Sequence, residues 1–155
     1  MKPATKGVLI GGGLAATFDI IYAFVMSAQS DISPARVLQS VASGWLGQQA
    51  FDGGMPAAAL GLLSHYGIMF VAAALYLAAS RRYPVLRDRA VICGLIFGVG
   101  VYLFMNFVVV PLSAVPFQFS HAPSKLAQGF LSHAVLVGLP IALAIRRYSD
   151  AEVRP

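Results

Sequence analysis

Residues 90–111 read AVICGLIFGVGVYLFMNFVVVP and contain no charged side chain. A helix of about 20 apolar residues is long enough to cross the hydrocarbon core of a bilayer, which is roughly 30 Å thick. Lipid offers no hydrogen-bond partner to exposed backbone groups, and this run lacks the alternation of period two that a barrel strand requires. It therefore predicts a membrane-spanning helix, and it sets the class of fold for the whole chain.

Three other runs have the same apolar character, at about 7–27, about 56–80 and about 126–145. Overall, 58% of the 155 residues are hydrophobic and 11% are charged, with a mean hydropathy of +0.75. That is too little charge to cover the surface of a soluble domain. We expect a single domain, 1–155, with an all-α integral membrane fold: a four-transmembrane-helix bundle whose main partner is the lipid bilayer.

The basic residues are concentrated on one side of the four predicted spans. Cytoplasmic segments of membrane proteins carry such an excess of Lys and Arg, so both termini are expected in the cytoplasm. The net charge of +5 does not indicate a nucleic-acid partner, because the cations are not interleaved with exposed aromatic residues. The cytoplasmic set is Lys2, Lys6, Arg81, Arg82, Arg87, Arg89, Arg146, Arg147 and Arg154, against Arg36 and Lys125 on the other side.

A short amphipathic helix is predicted at 34–47, within the segment SPARVLQSVASGWLG between the first two spans. Ser33 suits the N-cap position and Pro34 the first helical position. The helix is too short to cross a bilayer, so we expect it to lie in the outer interface or to dip in as a lid. Its polar face and its aromatic anchor are assigned to Arg36, Gln39 and Trp45.

The two halves of the chain resemble each other, which predicts two parallel helical-hairpin repeats about a pseudo-axis along the membrane normal. Without a gap, the alignment places Asp19 on Asn106 and His65 on His133. The repeated glycines form small-xxx-small pairs that allow helices to approach closely, within the bundle or in a homo-oligomer. The matching segments are GVLIGGG (7–13) with GLIFGVG (94–100), and GLLSH (61–65) with GFLSH (129–133).

Polar side chains inside the predicted spans are the candidate functional residues. A charge at the centre of a membrane helix costs roughly 2.5–3.5 kcal/mol on insertion scales, so such residues need partners or a function. The candidates are Asp19, Tyr22, His65, Tyr102, Asn106 and His133. Counted from the helix ends, Asp19, Asn106 and the two histidines are expected to form one layer in the outer half of the bilayer, with the two tyrosines one helical turn away.

Two interpretations of this layer do not involve a cofactor. The groups could serve only as contacts between helices, which is the commonest role of buried polar groups in membrane bundles. Alternatively, they line a hydrophilic pocket open toward the periplasm, which binds a small solute, an ion or a lipid headgroup beneath the 34–47 helix.

A third interpretation is a redox protein, with His65 and His133 as the axial ligands of one b-type haem. Only Arg36 and Lys125 would then be available on the outer side for the haem propionates. A metal site formed by Asp19 with both histidines is also conceivable, although the sequence holds no local metal motif such as HExxH.

Hydrolytic chemistry is not expected from the serine–histidine pairs, and we favour a protein without enzymatic activity. Ser64 precedes His65 and Ser132 precedes His133, and consecutive residues of a helix point about 100° apart. His121 lies in the predicted outer loop, where a solvated histidine is the simpler interpretation. Cys93 is the only cysteine, so no disulfide can form within the chain.

The stretches FDIIYAF, RVLQSVASGWLGQQAFDGGMPAAALGL and YLFMNFVVVPLSAVPF resemble a group of small bacterial inner-membrane proteins with four predicted spans. The resemblance extends over most of residues 7 to 145. It implies a bacterial inner-membrane location and the same four-span topology. It assigns no catalytic or binding residue, and so it does not choose among the three interpretations.

Overall fold

The computed structural model describes residues 1–117 and 122–150, with side chains described as far as residue 148. His121 and Arg154 therefore lie outside the described part. All the regular structure in that part is helical. The helices are α1 (Pro3–Ala28), α2 (Pro34–Leu46), α3 (Gly54–Arg82), α4 (Val85–Asp88), α5 (Ala90–Leu112) and α6 (Pro123–Tyr148), with a 3-10 turn at Gly47–Phe51.

Four of these helices, α1, α3, α5 and α6, are long and apolar enough to cross a membrane. This confirms four long apolar helices at the predicted positions and the all-helical class of the fold in the described residues. Each helix extends beyond its predicted apolar run at one or both ends, because the backbone hydrogen bonds of a helix do not require apolar side chains. A helix is also present at α2, where the Ser33 hydroxyl accepts a hydrogen bond from the Arg36 N–H at 3.3 Å.

Helix α6 lies at the centre of the bundle, packed against both α1 and α5. Helix α3 packs against both α1 and α2. The core consists largely of small and aliphatic side chains, which allow the helices to approach closely. Its buried members include Ala15, Ala16, Met69, Ala73, Tyr76, Val137, Ile141 and Ile145.

Two glycines that correspond in the repeat, Gly11 and Gly98, both contact α6. Two equivalent hairpins would instead predict that each glycine contacts a different helix. A Cβ placed on Gly11 would lie 3.1 Å from the Cα of Ile141, and a Cβ on Gly98 would lie 2.7 Å from the Cα of Ala134. Under the repeat, α1 and α5 correspond, so their glycines should face corresponding helices rather than the same one. Both glycines pack closely against a neighbouring helix, as expected. The predicted pseudo-axis, however, does not superimpose the neighbours of one glycine on those of the other.

Two wide, π-helical turns interrupt the spans, at Met105–Val109 in α5 and at His133–Gly138 in α6. Each turn ends two residues before a proline, Pro111 or Pro140. Proline lacks a backbone N–H and its ring collides with the carbonyl four residues earlier, so the preceding helix opens. Such turns often occur at functional sites, and here both fall at polar residues of the spans.

Candidate functional site

The centre of the candidate site is a carboxylate and an imidazole on different helices. Asp19 Oδ1 on α1 lies 3.9 Å from His133 Nδ1 on α6. The two side chains are 14% and 19% exposed, respectively. At this distance the contact is electrostatic rather than a hydrogen bond, and it is attractive when the imidazole carries a proton. The pair joins two helices that pack extensively against each other.

His133 has two further neighbours. The Tyr102 ring on α5 packs edge-to-face against the imidazole, with 5.1 Å between ring centroids. The Ser132 hydroxyl lies 3.3 Å from His133 Nδ1, although consecutive residues of a helix point about 100° apart. A hydrolytic relay still does not result. Asp19 and Ser132 approach the same ring nitrogen, whereas a relay needs them on opposite nitrogens.

His65 is buried, 7% exposed, and connects α3 to α1. Its Nε2 atom lies 2.9 Å from the backbone oxygen of Ala16, one helical turn before Asp19. Because a carbonyl oxygen can only accept, Nε2 must carry the hydrogen in this bond. The residues of α1 that the two histidines contact, Ala16 and Asp19, lie within one helical turn of each other. We refer to Asp19, His65 and His133 as the ionisable cluster, and a shared function for them stays a prediction.

Tyr22 lies further out along α1, where its hydroxyl accepts a hydrogen bond from the Gln128 side chain of α6 at 2.9 Å. Sequence reasoning missed Gln128, and it also missed a contact between the hydroxyls of Thr17 and Tyr66, which are 2.9 Å apart. The positions of Thr17 and Tyr66 in the sequence could have indicated that contact. Thr17 and Tyr66 are polar residues within two positions of Asp19 and His65 in otherwise apolar runs.

Asn106 lies outside this cluster. Its amide donates a hydrogen bond to the Tyr102 backbone oxygen in its own helix at 2.9 Å, and no bond joins it to Asp19 or either histidine in the described part of the chain. The cause is that corresponding residues of α1 and α5 lie at different positions along the bundle axis. Gly11 and Gly98 correspond in the repeat, yet they contact α6 at Ile141 and at Ala134.

The seven residues between these two contact points correspond to about 10 Å along a helix. Asn106 is displaced outward from Asp19 by about that distance. The prediction that Asn106 shares the layer therefore does not hold in the structure.

Helix α2 packs along the outer part of α3, and its polar residues are not all on an exposed face as expected. Gln39 is buried and donates to the Gly54 backbone oxygen at 3.1 Å. The burial is possible because that carbonyl satisfies the amide. Trp45, by contrast, is 73% exposed and donates to the Ser64 hydroxyl at 3.1 Å.

Arg36 is exposed on the same helix. Its guanidinium stacks 4.0 Å from the centre of the Phe51 ring and donates to the Phe51 backbone oxygen at 3.2 Å. At the other end of α2, the Ala114 N–H donates to the Gly44 oxygen at 3.0 Å. Helix α2 is thus bonded both to the connection between α1 and α3 and to the connection between α5 and α6. Its position relative to the membrane surface stays a prediction.

Two surface grooves accompany this arrangement. One, of about 420 Å³, lies beside Arg36, Ser40 and Phe51, and the other, of about 310 Å³, lies beside Arg89 and Arg146. Neither is lined by Asp19, His65 or His133. The ionisable cluster is thus packed between helices rather than set in the wall of either groove.

The geometry does not support the suggested metal site, and it leaves the haem interpretation open. In the described part of the chain, no three His, Cys, Asp or Glu side chains come close enough together to hold a metal ion, so Asp19 and the two histidines do not form the suggested metal site. For haem, ligation through Nε2 of His65 would require breaking its hydrogen bond to Ala16. The haem interpretation stays a hypothesis.

Comparisons with protein-family models, curated proteins and solved structures find no match for this chain. Its four long apolar helices are compatible with a multi-pass membrane protein. Within them, the contact between Asp19 and His133 is the feature whose chemistry is most specific.

Proposed function

We propose that this chain crosses the bacterial inner membrane four times, with both termini in the cytoplasm, and binds a proton or a small cation at Asp19 and His133. The observation that carries the proposal is the 3.9 Å approach of these two ionisable groups, on separate helices and largely buried within apolar spans. Ionisable residues at membrane depth usually pair and mark ion pathways or proton relays.

The packing around the cluster limits the size of the ligand. His65 is hydrogen-bonded to α1, Tyr102 covers one side of the His133 ring, and neither groove reaches these residues. A proton needs no cavity, and a small cation needs only a few oxygen or nitrogen neighbours. A larger solute would need a cavity, and neither of the two grooves provides one at these residues. The geometry thus favours the ionic part of the binding hypothesis.

Protonation would change how α1 and α6 interact. A proton on His133 creates a cation beside the Asp19 carboxylate, and the attraction is strong where water is scarce. Loss of that proton leaves a carboxylate without a charged partner in the described part of the chain. Because the wide turn of α6 begins at His133, the backbone next to the imidazole is not held by regular helical bonds. Binding of a proton at His133 would therefore alter the contact between α1 and α6.

The competing interpretation is that Asp19 and His133 only hold helices together. Nitrogen-15 NMR of histidine-labelled protein in lipid nanodiscs separates the two, with the His133 signal assigned from His133→Gln. We expect the imidazole signal to change with pH over the range in which the chain stays folded, and the midpoint of that change to differ in Asp19→Asn. Asp31→Asn, which removes an exposed carboxylate beyond the end of α1, serves as the control and should leave the midpoint unchanged.

An imidazole whose signals stay constant over that range would show that the pair is a fixed contact and would end the proton proposal. Binding of a cation is tested separately, by thermal unfolding of the protein with added Na⁺ or Li⁺. Stabilisation of the wild-type chain that is lost in Asp19→Asn would identify a cation rather than a proton as the ligand.

A further inference from the structure

A second candidate site lies at the arginine-rich end of the bundle, far along α6 from His133. A groove of about 310 Å³ opens between the start of α5 and the end of α6. Both basic residues of its wall, Arg89 and Arg146, are exposed. The groove is lined by Asp88, Arg89, Ala90, Val91, Ile92 and Arg146.

The charged side chains of the groove wall leave it with an excess of positive charge. Among the side chains that the structure describes, no carboxylate forms an ion pair with Arg89 or Arg146. Asp88 lines the groove as well, so its net charge is +1, from two cations and one carboxylate. An arginine presents a planar fork of N–H donors that matches the oxygens of a phosphate group.

The rest of the groove wall is apolar and belongs to a membrane-spanning helix. Val91 is 48% exposed and Ile92 is 56% exposed, in the first turn of α5. A ligand that fills this groove therefore meets positive charge at the end of the helix and apolar surface directly beside it. A phospholipid has that combination, with a phosphodiester attached to acyl chains, whereas free phosphate has no apolar part.

We propose that this groove binds the phosphodiester of an anionic phospholipid from the leaflet at the arginine-rich side of the membrane. Arg89 and Arg146 contact the phosphate oxygens, and an acyl chain lies along Val91 and Ile92. Basic pockets between membrane helices bind anionic headgroups in this way. The inference rests on the membrane-spanning fold, but it does not depend on the chemistry of Asp19 and His133.

The test uses the purified full-length chain in detergent, with phosphatidylglycerol or phosphatidylcholine of identical acyl chains. Native mass spectrometry measures how many lipids remain bound. We expect the wild-type chain to retain phosphatidylglycerol preferentially, and Arg89→Gln/Arg146→Gln to lose roughly tenfold or more in affinity for it. The matched control is Arg81→Gln/Arg82→Gln, which removes the same charge from the same end of the bundle outside the groove and should lose at most about threefold.

Equal retention of the two lipids by the wild-type chain, or an equal loss in both double variants, would overturn the proposal. If the double glutamine variant does not fold, the single variants Arg89→Gln and Arg146→Gln provide the measurement, and each should lose part of the preference. Asp19→Asn should retain phosphatidylglycerol like the wild-type chain. Failure of lipid binding is thereby distinguished from failure of the ion-binding proposal.

Discussion

His65 Nε2 on α3 lies 2.9 Å from the backbone oxygen of Ala16 on α1, and this bond fixes the height of one helix against the other. Ala16 is fully buried and belongs to the core. The next turn of α1 carries Asp19, which meets His133 of α6. Three helices are thus joined at one level by side chains that a lipid environment could not satisfy.

Replacing His65 by Ala should destabilise the bundle by about 2–4 kcal/mol, because the variant loses a buried hydrogen bond and leaves a cavity. Thermal unfolding in detergent measures the change. His65→Gln keeps a donor on the side chain and should lose less. A loss below about 0.5 kcal/mol for the alanine variant would show that the bond to Ala16 contributes nothing to stability.

Haem binding should not occur if His65 keeps its bond to Ala16. We expect no Soret band in protein purified after haem-supplemented expression, since ligation through Nε2 would break that bond. The measurement is an absorption spectrum. A Soret band that disappears in both His65→Ala and His133→Ala would replace the ion-binding proposal with the redox alternative.

A double-mutant cycle of Asp19→Asn and His133→Gln should give a favourable coupling energy of about 0.5–2 kcal/mol. The attraction requires a protonated imidazole and an ionised carboxylate, so the coupling should decrease as the pH is raised and His133 loses its proton. Unfolding free energies of the four proteins at two pH values provide the test. A coupling near zero at both pH values would contradict a charged pair.

Two glycines of α5 should respond in opposite ways to alanine. A Cβ on Gly98 would lie 2.7 Å from the Cα of Ala134, so Gly98→Ala must push α5 away from α6 and should cost about 1–3 kcal/mol or more. Gly100 has nothing within 4 Å of the same position, so Gly100→Ala should be neutral or stabilise by up to about 1 kcal/mol. Thermal unfolding of both variants measures the contrast, and equal losses would mean that α5 does not pack on α6 as described.

The proposed topology predicts which segments face the cytoplasm. Green fluorescent protein fused after residue 155 should fluoresce, and alkaline phosphatase fused after Ser113 should be active, because one folds in the cytoplasm and the other in the periplasm. Removing the charges of Arg81, Arg82, Arg87 and Arg89 should weaken this orientation. The opposite pattern of reporter activities would reverse the assignment of sides.

Much of the site was visible in the sequence because charge and imidazole groups are rare within apolar runs. Asp19, His65 and His133 stand out for that reason, and counting from the helix ends placed them at similar depths. Counting failed for Asn106, because it assumes that corresponding residues of α1 and α5 lie at equal heights. Those helices meet α6 about two turns apart, as the contacts of Gly11 and Gly98 show.

The number of long apolar helices and their approximate limits could be predicted from the residues alone. The free energy of placing an apolar helix in lipid depends on that segment alone, and its backbone hydrogen bonds are local. The packing of the helices was needed to see that α6 is central, that Asp19 contacts His133, and that Asn106 is not bonded to either of them. Lipid chains are as apolar as the side chains of these helices, so hydrophobicity does not mark which face of a span contacts protein and which contacts lipid. Close packing of small residues selects the partner helix and the height of contact, and that fit exists only between helices.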